Sequence, residues 1–134
     1  MRLTDYAALS QDYAAYHRAR GNRLCHAVGI PLIVYALCAW TRVRGVPAAV
    51  LVLPLYFVWD VRLGGMLTAF LFACALAAAR LPAWAAGAAF VAGWVFQFAG
   101  HALYEKRSPA FTRNLAHLLV GPAWIAAELA GYRR

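Results

Sequence analysis

The stretch LGGMLTAFLFACALAAARLPAWAAGAAFVAGWVFQFAGHALY, residues 63–104, decides the fold class. Its first half, 63–79, holds no charged side chain. Arg80-Leu81-Pro82 interrupts it, and an uncharged run then continues over 82–104. A helix needs about 20 apolar residues, with a range near 17–25, to cross the hydrocarbon core of a bilayer. Both halves meet that length. Arg80 marks the connection between them. The stretch therefore predicts two membrane helices in a hairpin.

Working outward, LCHAVGIPLIVYALCAW (24–40) is a further apolar run, and Pro31 should bend it. VPAAVLVLPLYFVW (46–59) is shorter, and as a span it would have to tilt or thin the bilayer. Residues 4–20 read as an amphipathic helix with Thr4 as cap and Asp5 in its first turn. Leu9, Tyr13, Tyr16, His17 and Arg20 share one broad face by their spacing. Gly21 is placed to end this helix and Asn22 to cap the next. Residues 115–130 are apolar but broken by Gly121-Pro122 and carry Glu128, as expected of an interfacial or re-entrant segment. The expected fold is all-α: about four transmembrane helices, an amphipathic N-terminal helix and interfacial or re-entrant C-terminal helices, in one domain over 1–134.

The bulk composition agrees. Hydrophobic residues make up 64% of the chain and charged residues 13%. A soluble domain is about half apolar and about a quarter charged, so lipid must cover part of this surface. The net charge of +8 comes from basic residues beside the apolar runs rather than from a basic face on a soluble fold. That excludes a nucleic-acid-binding domain. With four spans, ten of the thirteen basic residues fall on the side of the two termini and only Arg42, Arg44 and Arg80 on the other. The positive-inside rule then predicts cytoplasmic termini. The first 20 residues are polar and lack the apolar stretch of a signal peptide. Cys25, Cys38 and Cys74 show no paired spacing and read as small buried hydrophobes. Trp40, Trp59, Trp84, Trp94 and Trp124 read as interfacial or lipid-facing aromatics.

The four histidines carry the candidate chemistry. Under this topology His17, His26, His101 and His117 all fall at one membrane face, although the long middle of the chain separates the two pairs. Gln97, His101 and Glu105 recur every four residues and form a polar stripe on an apolar helix. Ionisable groups at membrane depth are costly and face protein interiors or functional cavities. Asn22 precedes His26 by four residues, as Tyr13 precedes His17, which places a polar group beside each ring. Singly, each of these has a plainer account, such as an interfacial histidine or an interhelical hydrogen bond. Together they suggest a metal site. Several imidazoles without thiolate suit iron, copper, nickel or zinc.

The residues also resemble a known family. HRARGNRLCHAVGIPL (17–32) resembles its first motif, a histidine followed by Asn, a second His and Gly-x-Pro. WVFQFAGHALYEKRSPAF (94–111) resembles its second, Trp-x-x-Gln-Phe-x-Gly-His with Glu and Pro-Ala downstream, and NLAHLLVGPAWIAAE (114–128) is similar to its closing segment. The family is the membrane 2-hydroxy fatty acid dioxygenases. The resemblance implies an Fe(2+)-dependent enzyme that converts a 2-hydroxy fatty acid and O2 into the acid one carbon shorter, in a lipid bilayer and without nucleic acid. It implies His17, His26, His101 and His117 as metal ligands. Glu105, Asn22 and Gln97 are expected to support them, and Arg23 is a candidate partner for the substrate carboxylate. Two other readings of the residues stay open at this point. One is a non-enzymatic scaffold or transporter subunit, the other a bis-histidine haem protein.

Overall fold

A computed structural model describes residues 2–132. Arg133 and Arg134, counted above among the basic residues, lie outside the described residues. Six helices dominate: α1 Tyr6–Ala15, α2 Arg20–Trp40, α3 Leu53–Trp59, α4 Val61–Arg80, α5 Ala83–Gly100 and α6 His117–Leu129. Between α2 and α3 lies a small antiparallel hairpin, β1 Arg42–Val43 and β2 Val46–Pro47, in which Arg42 faces Pro47. A 3-10 segment, Ala48–Val52, leads into α3, and another, Ala110–Thr112, precedes α6.

The fold is nearly all-α, as the apolar runs predict. Three helical segments are long and apolar enough to cross a membrane: Arg20–Trp40, Val61–Arg80 and Ala83–Glu105. The second apolar run is not a fourth of this kind. Pro47 and Pro54 lack the backbone N–H that helix or ladder needs, and the run divides into strand, 3-10 segment and a seven-residue helix. Its two ends are nevertheless far apart. Pro47 lies beside the C-terminal end of α2, whereas the Trp59 indole donates to the Leu3 carbonyl at 2.9 Å. The chain thus returns to the end that carries α1 within twelve residues, Ala48–Trp59. Asp60 then opens α4, accepting from the Arg62 and Leu63 amides at 2.8 and 3.1 Å.

Lipid-facing surface is evident on every long helix. Leu24, Val28, Leu37 and Trp40 on α2, Phe72 and Leu76 on α4, and Val91, Val95 and Phe98 on α5 are all exposed. Exposed apolar area on this scale has no place in water. Trp40 and Trp84 fit the expected exposed aromatics. Trp59 and Trp124 do not: both are buried in the core.

A buried core ties the end segments to the long helices. Leu9 and Tyr13 of α1, Tyr56 and Trp59 of α3, Leu63 and Leu67 of α4, and Val120, Ala123, Trp124, Ile125 and Ala127 of α6 form one cluster. The C-terminal segment is a helix that buries one face in this core, at one end of the bundle. Its break at Gly121-Pro122 stays inside the helix. The N-terminal helix is shorter than expected. Asp5, not Thr4, caps it through the Ala8 amide at 3.1 Å, and it ends at Ala15. Gly21 and Asn22 lie in the first turn of α2, and Arg20 is exposed. Cys38 and Cys74 are buried against Leu71, and Cys25 is half-buried.

The pairing of α2 with α5 positions the site. A Cβ on Gly29 would lie 2.7 Å from the Gly93 carbonyl oxygen, and one on Gly93 would lie 2.8 Å from the Gly29 oxygen. The two backbones cross in direct contact. In lipid, where hydrophobic burial gives helices no reason to associate, such close van der Waals packing is the main adhesive. Farther along, Gly100 leaves room for the Asn22 side chain. This crossing fixes the separation of His26 on α2 from His101 at the end of α5.

Candidate metal centre

His17, His26 and His101 converge. Each offers one ring nitrogen, and these atoms all lie within 4.8 Å of one another. All three residues are buried. His17 sits in the segment between α1 and α2, where the Tyr13 ring stacks on it with centroids 3.9 Å apart. His26 lies nearly two turns inside α2. His101 opens a widened π-type turn, His101–Glu105, that continues α5. Such turns often occur at functional sites.

The hydrogen bonds fix which nitrogens carry protons. His17 Nδ1 lies 2.7 Å from the Tyr13 carbonyl oxygen, and His26 Nδ1 lies 2.9 Å from that of Asn22. A carbonyl can only accept, so each Nδ1 is the N–H donor. Each neutral ring then presents a lone pair at Nε2. Those two Nε2 atoms are 3.1 Å apart. Two lone pairs at hydrogen-bond distance repel unless an electrophile, a proton or a metal cation, lies between them. Burial, then the neighbouring His26, push the His17 pKa down to about 3, so a proton is the poorer candidate. His101 adds a third donor, and its Nδ1 is buried without a protein partner among the described residues. Metal-binding imidazoles characteristically donate their second N–H to a carbonyl or carboxylate. The donor set fits a metal ion that takes nitrogen ligands.

The supporting contacts converge on the start of α2. Its cap residue, Ala19, has no side chain able to satisfy the first amides. Glu105 instead holds the cap residue itself: its Oε1 takes the Ala19 backbone N–H at 2.7 Å and the Asn22 side-chain amide at 3.3 Å. The Asn22 amide also reaches the Tyr16 carbonyl oxygen at 3.3 Å. Glu105 therefore ties the end of α5 to the beginning of α2, where its negative charge complements the helix dipole. Asn22 and Glu105 are brought to the site as its frame rather than as members of the three-nitrogen group.

Below the histidines runs a cavity of about 350 Å³. Its walls are apolar: Ile30, Ile33, Val34 and Leu37 from α2, Phe90 and Trp94 from α5, and Phe111, Leu118 and Pro122 from the C-terminal part. From His26 to Leu37 it follows α2 for about 16 Å at 1.5 Å per residue. Phe90 lines it far from His101 along α5, and the Phe90 ring meets that of Trp40 with centroids 5.0 Å apart. Gln97 lines the cavity one turn before His101, and Trp94 lines it rather than facing lipid alone.

Two of the expected residues are placed differently. His117 lines the same cavity but stands outside the three-nitrogen group, and its Nε2 meets Asp12 Oδ2 at 2.7 Å. Arg23 does not line the cavity. It projects into a separate groove and pairs with Glu128 at 3.5 Å. Asp12 itself escaped the sequence reading. Its signal is faint, a single acid on α1 whose partner lies far along the chain.

With this geometry in view, comparison with known proteins is decisive. The family model described as 2-hydroxy-palmitic acid dioxygenase Mpo1-like matches residues 3–133. The chain belongs to this family. A curated relative, the 2-hydroxy-palmitic acid dioxygenase MPO1 of Saccharomyces cerevisiae, is 50% identical over 40 residues, which are 29% of this chain and 23% of the yeast protein. The aligned part thus spans under a quarter of that relative. No solved structure matches the chain. Membership of the Mpo1-like family agrees with a membrane chain that gathers imidazoles at the head of an apolar cavity.

Proposed function

We propose that this Mpo1-like protein is a ferrous, non-haem dioxygenase that shortens 2-hydroxy fatty acids by one carbon. The observation that carries the proposal is the pair of facing Nε2 lone pairs on His17 and His26, joined by His101 at the head of an apolar cavity. The overall reaction balances without a further co-substrate: 2-hydroxy acid and O2 give the shorter acid, CO2 and water.

His17, His26 and His101 would hold the iron. When bound, the metal would supply the open coordination positions and the electrons that O2 chemistry requires. The protein's own part is positioning. The Tyr13 and Asn22 carbonyl oxygens hold two rings in the ligating tautomer, and Glu105 holds α2 against the end of α5. The apolar walls receive the acyl tail, at about 0.8 kcal/mol per buried CH₂. Trp94, Phe111 and Pro122 keep water from the head of the tail. With Arg23 committed to Glu128, the Gln97 amide is the group in the cavity suited to orient the carboxylate. The site end of the bundle and both termini would face the cytoplasm, where the basic residues concentrate.

Turnover under ¹⁸O₂ tests the proposal. Anaerobically purified protein should contain iron, and with a 2-hydroxy fatty acid it should place label in the shortened acid. O2 consumption should match acid formed without nicotinamide or flavin. His101→Ala should lose both metal and turnover. Unlabelled product, or full activity in His101→Ala, refutes the dioxygenase reading and favours a scaffold.

A further inference from the structure

His117 is the buried group that a three-histidine metal site leaves unexplained. It opens α6, only 3% of its surface is exposed, and it lines the cavity that His17, His26 and His101 head. Its Nε2 lies 2.7 Å from Asp12 Oδ2, whose carboxylate can only accept, so Nε2 carries a proton. In the singly protonated ring the lone pair is then on Nδ1. That atom is buried and has no protein partner among the described residues. Tyr16 meets the ring edge-on and Tyr13 at a tilt, with centroids at 5.9 and 5.5 Å, so the ring is held in place.

A buried acceptor without a partner costs free energy, and a ligand that brings a donor recovers it. The kind of donor can be narrowed. A carboxylate brings only lone pairs and would be repelled by Nδ1, and an alkyl chain brings nothing. A hydroxyl group bonded near the head of the chain brings the hydrogen that Nδ1 needs. We propose that His117, held by Asp12, is the residue that reads the 2-hydroxyl group, accepting its hydrogen bond through Nδ1 and so separating 2-hydroxy fatty acids from unsubstituted ones. This rests on the substrate class proposed above. A site built around a hydrogen bond to a substrate hydroxyl discriminates strongly, because the analogue lacking it leaves the buried partner unpaired.

The test is anaerobic binding to the metal-loaded protein in detergent, where no turnover occurs. Radiolabelled 2-hydroxypalmitic and palmitic acids serve as probes, and metal content is measured on the same samples. Wild-type protein should prefer the hydroxy acid, and His117→Ala should lower the preference by about tenfold, within the range set by one unsatisfied acceptor. It should keep its metal and its affinity for palmitic acid. His117→Asn, which restores an acceptor close to the Nδ1 position, should recover part of the preference. An unchanged ratio in His117→Ala overturns the inference, as does no preference in the wild type. So does metal loss equal to that of His101→Ala, which would make His117 a ligand. If the ratios behave as expected but no hydroxy acid is turned over, the dioxygenase reading fails while the binding role of His117 stands.

Discussion

Glu105 offers the most direct measure of how the frame supports the site. Replacing it with Ala removes the acceptor of the Ala19 amide at 2.7 Å and of the Asn22 amide at 3.3 Å. The shorter bond involves a charged acceptor and is worth about 1.5–3 kcal/mol. The longer one is near the limit of a hydrogen bond and adds little. A carboxylate at a helix N-terminus contributes a further ~0.3–1 kcal/mol. Glu105→Ala should therefore destabilise the protein by about 2–4 kcal/mol. Glu105→Gln keeps an acceptor oxygen and loses only charge, so it should cost about 1 kcal/mol. Because α2 carries His26, metal affinity should fall with the frame, by about 10–100-fold, the range found when partners of metal ligands are removed. Unfolding titrations in mixed detergent measure the first quantity, and competition with a chelator measures the second. Complete metal loss in Glu105→Gln, matching His26→Ala, would mean that the carboxylate is itself a ligand. Full metal affinity and stability in Glu105→Ala would mean that the contact frames nothing. Either result refutes the reasoning.

Three further outcomes follow from the same structure. The His17 ring is held neutral, with its pKa pushed down to about 3 from 6.5 by burial and by His26. The unfolded chain takes up this proton below pH 6.5 and the folded chain does not. Metal-free protein should therefore lose stability as pH falls from 6.5 toward 3, by at most about 1.4 kcal/mol per unit, and His17→Gln should flatten that slope in an unfolding titration. Phe90→Ala widens the cavity far from His101, where Phe90 meets Trp40, and should shift the preferred acyl chain to greater length in a competition among 2-hydroxy acids; an unchanged profile would place the tail elsewhere. A reporter fused after residue 134 should show a cytoplasmic C-terminus, and an external one would overturn the charge-based orientation.

Much of this architecture was legible because lipid imposes simple demands. The runs at 24–40, 63–79 and 82–104 correspond to α2, α4 and α5 with small shifts at their ends. The run at 46–59 was harder. Its hydropathy is that of a span and the chain does return along the bundle over it, but hydropathy does not show where backbone amides are missing, and so not its division into strand, 3-10 segment and short helix. Which face α6 buries was not legible either, since composition alone does not show it. At the site, spacing by four linked Gln97, His101 and Glu105, yet it could not show that Glu105 turns toward α2 while the other two face the cavity. The pairings of Asp12 with His117 and of Arg23 with Glu128 join residues distant in sequence. Neither carries a local signal. For Arg23 the result is a side chain committed to α6 instead of to a carboxylate.

The order of the imidazoles along the chain has a consequence in time. His17 and His26 leave the ribosome with the first membrane segment, whereas His101 follows only after α4 and α5 have been made. The three-nitrogen group cannot exist until α5 has entered the bilayer and closed on α2 at the Gly29–Gly93 contact. A nascent chain therefore offers at most two of the three nitrogens. On the proposed metal reading, acquisition would be a late event that reports successful insertion, and a chain stalled before α5 would be unable to close the site around an ion.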